Sequence, residues 1–200
     1  APVDLVEVLS RVDGVEAYYV YDNSSAGSYT TRNDQGVGDA SEVLAVGQSF
    51  WVKVSSDQTL TFTEADKITS NTASFMRTRD AGFGGSLGLE ITNAASQWGR
   101  TFVQFVEGAT AAFDAEEDAV FYNDPSTSEL RVWTVAESGE KLSIQSMGSL
   151  AETPAIPLHV TTGEGGLVSF SGYAMEDAPA NVCAVIEDTE TGERAQLGFE

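Results

Sequence analysis

Short alternating segments separated by frequent turn signals are the feature of this sequence that most limits its fold. In residues 15–21, for example, apolar and polar side chains alternate before a turn rich in Asn, Ser and Gly. Such turn signals recur about every 8–12 residues, and no helix-length periodic segment lies between them. Period-two alternation gives a strand one apolar face. We therefore predict an all-β fold, an antiparallel β-sandwich or jelly roll, and exclude a parallel βαβ architecture.

The same pattern predicts individual elements. A short helical turn is expected within residues 1–12, where apolar residues recur at three- and four-residue steps. A closing hairpin is expected around Gly192, which can adopt positive φ. The predicted strands are 15–21, 28–32, 43–46, 49–54, 59–63, 75–79, 87–92, 98–106, 119–122, 130–135, 142–146, 156–161, 167–173, 182–187 and 194–199.

A polar, turn-prone stretch at residues 64–74 marks a domain boundary. We predict a smaller N-terminal β subdomain at 1–72 and a β-sandwich or jelly-roll module at 73–200. The hydrophobic content of 42% is sufficient for a real core in each part.

The charge of the chain is strongly negative: 10 basic against 31 acidic residues give a net charge of −21. Such a surface repels nucleic acid and anionic lipid, so we expect neither as a partner. Apolar runs are too short to insert into a bilayer. The charge suits a saline exterior, where salt screens self-repulsion, although ordinary solubility explains it as well.

The chain has a single cysteine, Cys183, within an apolar run. An intrachain disulfide is therefore impossible, and we expect this thiol to be buried. Stability must come from packing or bound ions.

Signals for catalysis are weak. The only histidine, His159, lies between apolar residues of a predicted strand, and no Gly-x-Ser-x-Gly motif is present. Residues 116–118 begin a pattern found in jelly-roll glycosidases, but Phe121 stands where the second carboxylate belongs. We predict no catalytic residues and a chain that is not an enzyme.

An acid-dense loop between two apolar strands is the best candidate for a metal site. Asp114, Glu116, Glu117 and Asp118 fill four of five consecutive positions. Clustered carboxylates supply the oxygen ligands that Ca²⁺ takes, and the ion relieves their repulsion. The sequence thus makes this loop the candidate calcium site, while solvated loop acids are the interpretation that it favours.

Aromatic side chains are the candidates for sugar binding, since ring faces stack on pyranose C–H groups. In the predicted strand 130–135, Trp133 shares a face with Arg131, opposite to the apolar face. This placement would expose the ring beside a guanidinium. Trp98 and Tyr18 complete the predicted ligand-binding set, and Trp51 is a further available ring. A core position for Trp133 remains the alternative, because aromatic residues dominate sandwich cores.

Several landmarks occur in a recognisable order. They are Tyr19–Asp22, Val46–Val52, Glu107–Thr110, Phe113-Asp114, Asp118-Ala119, Lys141–Ser146 and Ile186–Gly192. Together they resemble β-rich modules near the C-terminus of large secreted surface proteins of the Bacteroidota, many of them cargo of the type IX secretion system. The resemblance implies an extracellular or cell-surface location, neighbouring domains in a longer protein, and an N-terminal part that would lack its first strand.

The expected function is therefore that of a non-catalytic extracellular module with an adhesion, spacer or accessory role. The alternative is a carbohydrate-binding module of a secreted polysaccharide-degrading enzyme, with polysaccharide as partner.

Overall fold

The computed structural model describes residues 1–22, 28–68, 85–122, 129–148, 155–163, 165–176 and 183–199. Of these residues, 47% lie in strands and 5% in helices, so the predicted all-β class is confirmed. Helix α1 spans Leu5–Leu9, and a 3-10 turn spans Glu64–Asp66. The strands are β1 (Val3–Asp4), β2 (Val15–Asp22), β3 (Ser28–Asn33), β4 (Val43–Leu44), β5 (Phe50–Val54), β6 (Ser86–Asn93), β7 (Trp98–Phe105), β8 (Ala119–Val120), β9 (Leu130–Val135), β10 (Lys141–Met147), β11 (Leu158–Thr162), β12 (Val168–Glu176), β13 (Val185–Glu187) and β14 (Arg194–Gln196).

Helix α1 is the short helical turn that the sequence predicts. Asp4 caps it, because its carboxylate accepts a hydrogen bond of 2.9 Å from the Glu7 amide. The apolar residues Leu5, Val8 and Leu9 are all buried. A helix of five residues is not stable alone, so this burial is what holds it in place.

The N-terminal sheet has the order β3-β2-β5 and uses both of its faces. Successive side chains of β2 point to opposite sides, so Tyr18 and Val20 pack against α1 while Ala17 and Tyr19 point away from it. That second face packs on three residues from β7, β8 and β10: Phe102, Ala119 and Ile144. The same short strand therefore contributes to two cores.

A larger sheet has the order β11-β9-β10-β7-β6-β12, with β8 added on β10. Its pairs are antiparallel, as predicted, with the exception of β7 and β10, which are parallel. The sheet is curled, and β9 packs over β6 and β7. Leu89, Ile91, Leu130 and Val132 form the core that this curling encloses. The result is sandwich-like.

The C-terminal hairpin of β13 and β14 covers one side of this core, and Gly192 has the predicted positive φ of 74°. Leu197 and Phe199 pack into the core behind the hairpin. Phe199 lies over Gly172 of β12, whose amide donates a 2.9 Å hydrogen bond to the Gly198 carbonyl. A Cβ at position 172 would overlap the Phe199 ring and lie 2.7 Å from that carbonyl oxygen.

Two local expectations are wrong. Residues 59–63 alternate cleanly but form no strand, and Leu60 and Phe62 remain 36% and 47% exposed. Alternation fixes which way side chains point, yet a strand also needs a paired neighbour. Cys183, expected inside the core, is exposed. The predicted strand 75–79 lies outside the described residues.

The proposed boundary at 72/73 also lies outside the described residues, and the two-domain division stays a prediction. The parts on either side of it are in contact, because the second core joins β2 to β7, β8 and β10. The Tyr19 hydroxyl also donates a 2.8 Å hydrogen bond to the Val120 carbonyl.

We expect Gly172→Ala to lower the free energy of unfolding by about 1–3 kcal/mol. The added methyl group must displace the Phe199 ring and the Gly198 carbonyl. Gly198→Ala is the matched control, since a Cβ there meets nothing within 4 Å. Its effect should stay within about 0.5 kcal/mol. Urea unfolding of both variants measures the difference, and equal stabilities would show that Phe199 is not held against β12.

Candidate functional site

The acidic loop does not gather its carboxylates at one point. Asp114 and Glu116 are exposed, whereas Asp118 is buried. The Asp118 carboxylate accepts hydrogen bonds from the Asp114 amide at 2.8 Å and the Ser146 amide at 2.6 Å. Among the described residues, no group of three or more acidic, histidine or cysteine side chains is placed to hold a metal ion. Calcium binding by Asp114, Glu116, Glu117 and Asp118 stays a prediction, and it would require these bonds to be exchanged for ligand bonds.

The loop backbone is instead held by a buried polar node, which we define as the Glu117 carbonyl with the side chains of Asn33, Gln104, Ser146 and Asp118. The carbonyl accepts hydrogen bonds from Asn33 Nδ2 at 2.8 Å, Gln104 Nε2 at 2.9 Å and Ser146 Oγ at 2.9 Å. The three donors come from β3, β7 and β10, and each is at most 2% exposed. The polar node therefore ties the loop to both sheets.

A second link between the larger sheet and the segment after β3 is a set of two ion pairs made by one arginine. Arg100 of β7 donates to Asp39 at 2.9 Å and to Glu90 at 2.7 Å. Its guanidinium carbon lies 3.6 Å from the centroid of the Tyr173 ring and 4.7 Å from that of Trp98. Trp98, a predicted sugar-binding residue, is thus half-buried with a ring face against a cation.

The other predicted ligand-binding residues are also packed against the rest of the chain. Trp133 takes the core position that the sequence left open beside an exposed one: it is 8% exposed and lies between Phe121 and His159, with ring centroids 5.3 and 5.9 Å away. Tyr18 is 3% exposed beneath α1, and Arg131 is half-buried. A sugar cannot stack on rings that are buried in this way.

Two exposed rings, each in contact with half-buried rings, lie at one end of the N-terminal sheet. We call this surface the aromatic platform and define it as Tyr21, Tyr29, Trp51 and Tyr122. Tyr21 on β2 is paired with Tyr29 on β3, and Trp51 on β5 is paired with Tyr19. Residues paired across neighbouring strands share a face, so these rings lie side by side. Tyr122 follows β8 and joins them from the other sheet.

The rings of the platform fix one another. Tyr122 stacks on Trp51 with a centroid distance of 5.8 Å and an interplanar angle of 29°. Tyr29 is edge-on to Tyr122 at 4.9 Å and to Tyr21 at 5.3 Å. The Trp51 indole N–H also donates a 3.3 Å hydrogen bond to the Tyr29 hydroxyl. Trp51 nevertheless remains 54% exposed and Tyr21 39% exposed.

The sequence contained a usable signal for part of this platform. Alternation along β2 places Tyr19 and Tyr21 on the face opposite Tyr18, and the predicted return strand 28–32 contains Tyr29, which is paired with Tyr21. The contribution of Tyr122 depends on tertiary packing and carries no local signal.

An open cleft in the described part of the molecule is separate from the platform. It has a volume of about 1720 Å³ and lies between the α1 side of the molecule and β12, reaching Tyr173. None of the platform residues lines it. The charged lining residues are acidic except for Arg32: Asp4, Glu7, Asp13, Glu16, Asp34, Asp39, Glu42 and Glu116. The cleft therefore repels anions.

We expect Asp118→Asn to destabilise the fold by about 1–3 kcal/mol. An asparagine has one acceptor oxygen, so its NH₂ group would face either the Asp114 or the Ser146 amide, leaving a buried donor without an acceptor. Glu116→Gln is the control, because only the backbone amide of this exposed residue takes part in a described hydrogen bond. Chemical denaturation measures both. A stable Asp118→Asn variant would mean that repulsion among the loop acids outweighs these bonds.

The stability that Asp118 and Asp39 contribute should fall as the pH rises from about 4 towards neutrality. Burial raises the pKa of Asp118 and of Asp39 above the ordinary value, which is about 3.9. The stability linked to their protonated forms is complete below that value and is lost as the pH rises through each raised pKa. Unfolding curves at several pH values in high salt, which screens the net charge, measure the slope. The pH dependence assigned to Asp118 should be missing in Asp118→Asn, so a difference in stability between wild type and variant that does not change with pH would contradict the assignment.

Comparison with known proteins identifies no relative. No family model, curated protein or solved structure matches the chain. The described residues include no helix long and apolar enough to cross a bilayer. The resemblance to secreted Bacteroidota modules stays a prediction.

Proposed function

We propose that this chain is a non-catalytic binding module that attaches to polysaccharide through the aromatic platform. The observation that carries the proposal is the Trp51 ring, which is more than half exposed while Tyr122 and Tyr29 fix its orientation. The proposal selects the carbohydrate-binding alternative over a purely structural role.

A fixed, exposed ring is suited to a sugar for two reasons. Its flat apolar face matches the C–H groups on one side of a pyranose ring. Rigid aromatic side chains also lose little conformational entropy on binding, so more of the contact energy appears as affinity. Because one face of Trp51 packs on Tyr122, the opposite face is the one available to ligand.

The composition of the platform supports binding and not catalysis. It consists of three tyrosines and one tryptophan, and it includes neither a carboxylate pair nor a histidine. Glycoside hydrolysis ordinarily uses two carboxyl groups about 5–10 Å apart across the scissile bond. A non-catalytic module of this kind serves as an adhesin segment or as the accessory domain of a polysaccharide-degrading enzyme.

The acidic surface is compatible with the proposed extracellular setting. At the ionic strength of seawater the screening length falls to a few Å, so a charge of −21 causes little self-repulsion there. Neighbouring domains of a longer surface protein would present the module to its ligand.

We expect Trp51→Ala to weaken polysaccharide binding at least tenfold, since truncation of a central aromatic anchor commonly costs 2 kcal/mol or more. Affinity electrophoresis in gels containing hydroxyethyl cellulose, galactomannan, laminarin or soluble starch measures the retardation of wild type and variant.

Phe62→Ala is the matched control, because it removes another partly exposed ring outside the platform. It should be retarded like the wild type. Binding that survives Trp51→Ala unchanged, or a wild type that no polysaccharide retards, would overturn the proposed function.

A further inference from the structure

We propose that the polysaccharide bound at the aromatic platform is an uncharged one. This inference rests on the proposed function and names its ligand class. It follows from the ion pairs that most of the described basic side chains already form with carboxylates of this chain. It also follows from the absence of charged groups among the four platform residues.

Recognition of carboxylated or sulfated sugars depends on lysine or arginine side chains that can pair with the anion. The chain has ten basic residues, of which Arg77 and Arg79 lie outside the described part, so eight can be assessed. Six of the eight form ion pairs with carboxylates of this chain: Arg11, Arg32, Lys53, Lys67, Arg100 and Arg194. Their charge is largely neutralised before any ligand arrives.

Lys53 is the basic residue that the strand geometry places beside the platform. It lies two positions after Trp51 on β5 and therefore on the same face. Its ammonium group pairs with Glu16, a residue only 7% exposed, and lies 4.8 Å from the centroid of the Phe113 ring. An anionic sugar at the platform would have to compete with a buried carboxylate for this cation.

The groups that the platform does offer are uncharged. Tyr21 and Tyr29 carry hydroxyls, which exchange hydrogen bonds with sugar hydroxyls. The molecule around them has a net charge of −21, and the open cleft is also acidic. A polyanionic chain that approached the platform would be repelled over roughly the Debye length, about 10 Å at moderate salt.

Matched pairs of polymers test this inference, because the members of each pair share a backbone and differ in charge. Suitable pairs are hydroxyethyl cellulose with carboxymethyl cellulose, soluble starch with carboxymethyl starch, and dextran with dextran sulfate. Affinity electrophoresis of the 200-residue chain at low and at seawater-like ionic strength gives the dissociation constants.

We expect at least one uncharged member to bind, and its charged partner to bind at least tenfold more weakly at low salt, equivalent to about 1.4 kcal/mol. The difference should shrink at high salt, and Trp51→Ala should abolish binding of the uncharged member. A charged member that binds as tightly as its partner, through Trp51, overturns this inference and leaves the proposed function standing. If neither member of any pair binds, and galactomannan and laminarin do not bind either, both the inference and the proposed function are overturned.

Discussion

The backbone carbonyl of Glu117 is the group on which the arrangement of this molecule depends. A carbonyl removed from water destabilises a fold unless it accepts hydrogen bonds, and this one accepts three, from side chains on β3, β7 and β10. Each donor is itself buried, so none has water as an easy substitute. These bonds place the acidic loop, and the loop places β8. Tyr122 lies two residues after the end of β8, so the position of this ring of the aromatic platform depends on buried hydrogen bonds in another part of the molecule.

The sequence predicts the strands better than it predicts their partners. Alternation located β2, β6, β7, β9 and β10 because each has an apolar face, and the spacing of three apolar residues located α1. The same rule failed at residues 59–63, since alternation holds no information about which strand lies alongside. For that reason it also missed the parallel pairing of Ile144 with Phe102, which joins residues far apart in the chain.

The site shows the same limit in another form. Because four acidic residues are close in sequence, their carboxylates were expected to meet at one point. Instead, the Asp118 carboxylate accepts hydrogen bonds from backbone amides, and Asp114 and Glu116 are exposed to solvent. Trp133 lies on the face of β9 opposite to the enclosed core, but Phe121, which follows β8, and His159 of β11 cover it there. The platform formed where two sheets meet, from Trp51 and three tyrosines. Alternation predicts on which face of a strand each side chain lies. Whether that face is exposed to solvent depends on the packing of other strands and sheets against it.

The packing of Phe199 against Gly172 has a consequence for biosynthesis. The core that this contact closes also contains Leu89 and Ile91, which leave the ribosome more than a hundred residues earlier. Until Phe199 emerges, the apolar faces of β6 and β9 are incompletely covered, and folds rich in such distant contacts assemble slowly. During that interval the acidic side chains oppose association of unfinished chains, because chains of strong like charge repel one another.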